Sequence, residues 1–86
     1  IEAVKTLVTA VDAARDIEDD YGEAYAQYAL GDVYSNGGQH NEAVAAFRRA
    51  HNSYASLGFN FEVMRTARRM CELGIAVSEG DINTNP

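Results

Sequence analysis

Residues 24–50 of this 86-residue chain read AYAQYALGDVYSNGGQHNEAVAAFRRA and hold its most regular pattern. On both sides of Asn36-Gly37-Gly38, apolar residues recur three and four positions apart, which is the spacing of one face of a helix. Asn-Gly-Gly is also the strongest turn signal in the chain. The stretch therefore predicts two helices joined by a tight turn.

The composition points the same way. Fourteen alanines, one proline and no tryptophan favour helices, because alanine is the best helix former and sandwiches of strands need frequent Gly/Pro turns. The hydrophobic share of 47% and the charged share of 23% are those of a globular domain, and the length suffices for only one. We therefore expect an all-α fold.

An internal repeat extends the pattern to the whole chain. Shifting the sequence by forty residues aligns Glu2-Ala3-Val4 with Glu42-Ala43-Val44, and Leu30 with Met70. The expected segments are helices at residues 1–17, 20–35, 41–57 and 60–77 within a domain of residues 1–80, and a frayed tail at residues 81–86.

Several residues have expected roles at helix ends or inside helices. Asn41 is expected to cap the third helix and Gly58 to end it. Gly31 costs a helix about 1 kcal/mol relative to alanine, so we expect a neighbouring helix backbone to approach it closely. Cys71 is expected on the inward side of the fourth helix. The acidic run at residues 16–23 lacks the glycine and glutamate of a calcium loop, and its acids are expected to cap the second helix.

The small and large apolar residues of the first stretch stand at fixed offsets. They are Ala24, Leu30-Gly31, Tyr34, Gly38, Ala43, Phe47 and Ala50. This pattern resembles the two-helix unit of the tetratricopeptide repeat family, in the roughly forty-residue variant of bacterial signalling regulators and of kinesin-light-chain-like or Pins-like scaffolds. Gln27 stands where the family usually has tryptophan, and Met70-Cys71 replaces Leu30-Gly31 in the fourth segment.

The resemblance implies antiparallel helix pairs stacked as an α-α superhelix of about four helices. In its register the chain runs B, A, B, A, and only residues 24–57 form a complete unit. The two terminal helices would then present apolar faces that a neighbouring repeat normally covers. From this we expect self-association into a homo-oligomer through the exposed terminal helices.

The resemblance also implies a concave groove, lined by the first helix of each pair, that takes a peptide or helix of a partner protein. The corresponding residues here are Tyr25, Tyr28, Asp32, Ser35, Arg65, Arg68, Arg69 and Glu72. Arg65 and Arg69 lie four apart on one helical face and resemble the cationic half of a carboxylate clamp, although Asp32 stands where the clamp has asparagine. The alternative is a solvated face with internal ion pairs such as Arg68 to Glu72.

Other classes of function are not expected from the charge and the cysteine count. The net charge of −6 argues against nucleic acid, and no apolar run is long enough for a membrane span. The single cysteine cannot form an internal disulfide, so we expect a reducing, cytoplasmic setting. His40 and His51 have no partner at a metal-ligand spacing, and no pattern indicates a catalytic residue or a cofactor.

The sequence therefore predicts a non-enzymatic protein-protein interaction module, cut from a larger regulator or scaffold. The alternative is a structural or oligomerisation repeat with no external ligand.

Overall fold

The computed structural model describes residues 2–74 of the chain. Within that range it contains four α-helices and no strand, so the predicted all-α fold is confirmed. The helices are α1 (Glu2–Asp16), α2 (Asp20–Asn36), α3 (His40–Leu57) and α4 (Asn60–Glu72). Each packs mainly against its neighbours in sequence, and short connections make consecutive helices antiparallel.

Two predicted helix boundaries were correct, the start of α2 and the end of α3. The Asp19 carboxylate accepts a hydrogen bond from the Gly22 N–H at 2.9 Å and caps α2, as expected for the acidic run. Gly58 ends α3 with φ +80, a conformation that favours glycine, and the Phe59 N–H donates to the Tyr54 carbonyl at 3.0 Å.

Asn41 does not cap α3, so that prediction was wrong. The turn after α2 closes with the Gln39 N–H donating to the Tyr34 carbonyl at 2.8 Å, and the Gln39 carbonyl then accepts the first bond of α3, from Ala43 at 3.0 Å. Gln39 is therefore the N-cap residue, without a side-chain bond, and Asn41 lies inside the first helical turn.

The fourth helix is shorter than predicted. It ends at Glu72, because Leu73 and Gly74 form a turn in which Gly74 has φ +81. The rest of the predicted helix, residues 75–77, and the predicted tail, residues 81–86, lie outside the described residues.

The core combines small alanines with large aromatic side chains, and α3 contributes both kinds. Ala24, Ala43 and Ala50 are fully buried, and so are the rings of Phe47 and Tyr54. Because alanine has almost no side chain, the helix backbones approach closely and the rings fill the remaining space.

Gly31 has the packing role that its position predicted, but with a different neighbour. A Cβ placed on Gly31 would lie 2.6 Å from atoms of the Phe47 ring, so the close approach is to a ring and not to a helix backbone. Cys71, forty residues further, is exposed, so its predicted inward orientation was wrong. In the repeat, Cys71 occupies the position that would face a helix following α4. The described residues contain no such helix.

Candidate functional site

Helices α2 and α4 lie side by side, and their side chains contact one another at three levels. The Tyr21 hydroxyl donates to Glu62 Oε2 at 3.2 Å near the helix starts. The Arg65 guanidinium lies over the Tyr28 ring at 4.7 Å. These contacts, with an ion pair one level further along, make a continuous surface that we call the α2/α4 face.

The ion pair at the third level occupies one of the two arginines predicted for a carboxylate clamp. Arg69 Nη1 lies 2.5 Å from Asp32 Oδ1, and Arg69 Nε lies 3.2 Å from Glu72 Oε1. The guanidinium also covers the Phe47 ring at 5.5 Å. All three groups are partly exposed, so each ion pair contributes about 1 kcal/mol or less. The internal pair predicted for Arg68 and Glu72 is absent, since Glu72 bonds to Arg69 instead.

Arg65 and Arg68 differ from Arg69, because neither has an ion pair among the described residues. The Arg65 guanidinium lies between two rings, 4.7 Å from Tyr28 and 6.0 Å from Phe61. Such cation–π contacts hold a guanidinium in place without neutralising its charge. Arg68 is exposed one turn further along α4. The face therefore carries two cations whose charge is available to a ligand.

The two predicted groove tyrosines have different surroundings. Tyr28 is partly buried, with its ring centroid 5.5 Å from that of Phe47 in an edge-to-face arrangement. The Tyr28 ring packs against the Arg65 guanidinium and leaves little of its own surface for contact with a ligand. Tyr25 is 55% exposed and presents its ring to solvent. It is thus the large contact residue of the face, with few rotatable bonds to immobilise.

Of the eight predicted groove residues, the structure brings five together by direct contact. These five are Tyr28, Asp32, Arg65, Arg69 and Glu72. The other three are Tyr25, Ser35 and Arg68, which lie on the same two helices and make no side-chain hydrogen bond or ion pair within residues 2–74.

Tyr21, which joins the starts of α2 and α4, was not among the predicted site residues. Its ring packs edge-to-face on Phe59 at 5.0 Å and on Tyr54 at 5.6 Å. Partial burial, and then the hydrogen bond to Glu62, raise the pKa of the Tyr21 hydroxyl above its ordinary value. In the forty-residue register Tyr21 is equivalent to Phe61, next to Glu62, but equivalence of two positions does not by itself predict a contact between them.

The histidines do not form part of this face. His40 begins α3 and is exposed, whereas His51 is buried inside α3. Among residues 2–74, no three His, Cys, Asp or Glu side chains converge where they could hold a metal ion. No helix of that same range is long and apolar enough to cross a membrane.

Comparison with family models, with curated proteins and with solved structures found no match to this chain. The residues of the α2/α4 face and their contacts are therefore the basis for a functional assignment.

Proposed function

We propose that this chain is a non-enzymatic protein-interaction module of tetratricopeptide-like architecture, which binds a segment of a partner protein on the α2/α4 face. The spacing from Ala24 to Ala50 and the consecutive packing of four helices support the architecture. The observation that carries the binding role is the exposed Tyr25 ring on a face that also holds Arg65 and Arg68, neither of which has an ion pair within residues 2–74.

The chemistry of this face favours a segment that combines acidic and apolar residues over a strongly acidic one. Arg69 is already neutralised by Asp32 and Glu72, and a run of acids would meet those two carboxylates. A single carboxylate beside Arg65 gains a charge-assisted hydrogen bond without that repulsion. A neighbouring apolar or aromatic side chain can pack on Tyr25. The proposed ligand is thus a segment with one acidic residue next to one bulky apolar residue.

Short random peptides displayed on phage provide a direct test, because no partner has to be assumed. Peptides enriched on the wild-type chain are synthesised with a fluorophore, and their Kd values are measured by anisotropy. Loss of a charge-assisted hydrogen bond is worth about 1.5–3 kcal/mol, so Arg65→Ala is expected to weaken binding about tenfold or more. Tyr25→Ser is expected to act in the same direction through lost contact area.

The matched control is Arg48→Ala combined with Arg49→Ala, which removes two exposed arginines from α3, outside the face. It is expected to leave the Kd unchanged. Failure to enrich any peptide, or an equal loss of binding in the control, would contradict the proposal. Circular dichroism of each variant verifies that the helices remain intact.

We further propose that the module acts in the cytoplasm as part of a larger regulator or scaffold. The exposed thiol of Cys71 supports a reducing compartment, since a lone surface thiol is prone to oxidation elsewhere. A structural or oligomerisation role without external ligand is the second candidate, and the internal use of Arg69 favours it. The absence of any enriched peptide would support that second role.

A further inference from the structure

The forty-residue repeat is also present in the packing of the helices. Leu7 of α1 packs against the cluster that contains Leu30 of α2. Forty residues later, Phe47 of α3 and Met70 of α4 belong to one cluster. The pair α1 and α2 is therefore equivalent to the pair α3 and α4, and each residue of one pair has a counterpart in the other.

This equivalence identifies a face of α4 that no helix within residues 2–74 covers. On α2, the residues Tyr21, Ala24, Tyr28 and Gly31 pack against α3. Their counterparts on α4 are Phe61, Met64, Arg68 and Cys71. All four are exposed, and Phe61 and Met64 retain 72% and 70% of their surface. We call these four residues the open α4 face.

The helix suited to this face is the counterpart of α3, and the chain contains one in α1. The residues of α3 that pack on α2 are Ala43, Phe47, Ala50 and Tyr54, and their counterparts on α1 are Ala3, Leu7, Ala10 and Ala14. Ala3 and Ala10 are exposed and Leu7 is only partly covered by α2, whereas Ala14 is already buried within its own copy, so three of the four positions are free. Helix α1 thus has a free side with the same spacing.

Side-chain sizes on the two free surfaces are complementary. Inside the molecule, Gly31 accommodates the large Phe47 ring. Between copies, the larger Cys71 would meet the smaller Leu7. The exposed Met64 replaces the buried Ala24 at its register position, and it would meet only alanines of α1. The combined volume is therefore kept, which is the condition for good packing.

Charge favours an arrangement of head to tail over one of like ends. Helix α1 contains three acidic and two basic residues, whereas helix α4 contains two acidic and three basic ones. Contact between two open α4 faces would bring Arg68 of both copies together. Contact between α4 and α1 instead joins a helix with a net charge of +1 to one with a net charge of −1.

We propose that the open α4 face binds helix α1 of a second copy of this chain, so that copies stack head to tail. The interface is heterologous, because each copy contributes α4 on one side and α1 on the other, and it leaves both outer ends free. The assembly therefore grows with concentration and does not stop at a dimer. This proposal does not require peptide binding on the α2/α4 face, although the two surfaces share Arg68.

Sedimentation velocity with two complementary variants tests this arrangement, with a reducing agent present to keep Cys71 as the thiol. Met64→Glu puts a charge on the open α4 face, and Ala10→Arg puts one on the free side of α1. Both positions are exposed, so the fold is expected to survive, and circular dichroism verifies it. Burying an unpaired charge is expected to raise the Kd of association at least about tenfold in each variant.

The decisive sample is a mixture of the two variants. Each alone is expected to sediment as a monomer at concentrations where the wild type forms dimers and larger species. The mixture is expected to form a one-to-one dimer, because Met64→Glu retains an intact α1 and Ala10→Arg retains an intact α4. A wild type that stays monomeric, or a mixture that does, would overturn the proposal. If Met64→Glu loses association but Ala10→Arg does not, the proposal is also overturned, and the face has another occupant.

Discussion

The contact between Gly31 and Phe47 predicts that adding a single methyl group destabilises this protein. In Gly31→Ala the new Cβ would lie 2.6–2.7 Å from three atoms of the Phe47 ring. The ring is fully buried and also contacts Tyr28 at a centroid distance of 5.5 Å, so it has little room to move. Alanine in place of glycine would otherwise stabilise a helix.

The magnitude follows from two opposing terms. Helix propensity favours alanine by about 1 kcal/mol, whereas overpacking a core costs about 1–3 kcal/mol. A contact this short places the cost at the upper end, so the expected net loss in the free energy of unfolding is about 1–2 kcal/mol. For a chain of this size that loss lowers Tm by about 5–15 °C, measurable by circular dichroism during heating.

Two further variants make this prediction specific. In Gly37→Ala the Cβ would lie no closer than 3.4 Å to any atom, and its φ is −88, so the expected change runs from none to a gain of about 1 kcal/mol. Phe47→Leu shortens the side chain that opposes Gly31. The double variant Gly31→Ala with Phe47→Leu is therefore expected to lose less stability than the sum of the two single variants, by about 0.5 kcal/mol or more. A Gly31→Ala protein as stable as the wild type would refute the packing argument.

Three other perturbations have expected outcomes. Asp19→Ala removes the N-cap of α2 and is expected to cost about 1 kcal/mol in chemical denaturation, whereas Asp19→Asn, which keeps an acceptor, should cost much less; equal losses would show that the cap bond is unimportant. Burial raises the pKa of the Tyr54 hydroxyl, so the unfolded chain loses this proton first. The free energy of unfolding should therefore fall as the pH rises above the ordinary tyrosine pKa of about 10. Tyr54→Phe should flatten that decline, and an unchanged pH profile in this variant would contradict the reasoning. Asp32→Asn removes one of the two carboxylates that contact Arg69 and should tighten the binding of acid-containing peptides, more strongly at low salt. An unchanged Kd in titrations at two ionic strengths would show that Arg69 is not available to ligands.

Much of the fold could be predicted from the sequence because the helix signals are local. The turn at Asn36-Gly37-Gly38, the stop at Gly58 and the apolar spacing depend on residues close in sequence, and all three were correct. The need for glycine at position 31 was also visible, although the identity of its neighbour was not. Asn41 failed as a cap because the preceding turn, and not the preference of one side chain, set the first residue of α3.

The candidate site was harder to predict, because it depends on which helices are neighbours. The register placed the groove residues on α2 and α4, but the partner of each arginine depends on distances across the two helices. Arg69 therefore bonds to Asp32 and Glu72, whereas the sequence suggested an ion pair for Arg68. Cys71 has the helical spacing of a core residue, and its exposure depends on whether a further helix packs there.

The packing of each helix mainly on its neighbours in sequence also shapes how the chain folds. Only short loops must close before the first apolar contacts form, so the entropy lost early is small and folding is expected to be fast. Among the described residues, α2 and α3 each pack against the helix before and the helix after them in sequence, whereas α1 packs mainly on α2, and α4 packs on α3 with side-chain contacts to α2. Opening should therefore begin at the two ends and move inward, one helix at a time, and the central hairpin should be the last part of the protein to exchange its amide protons.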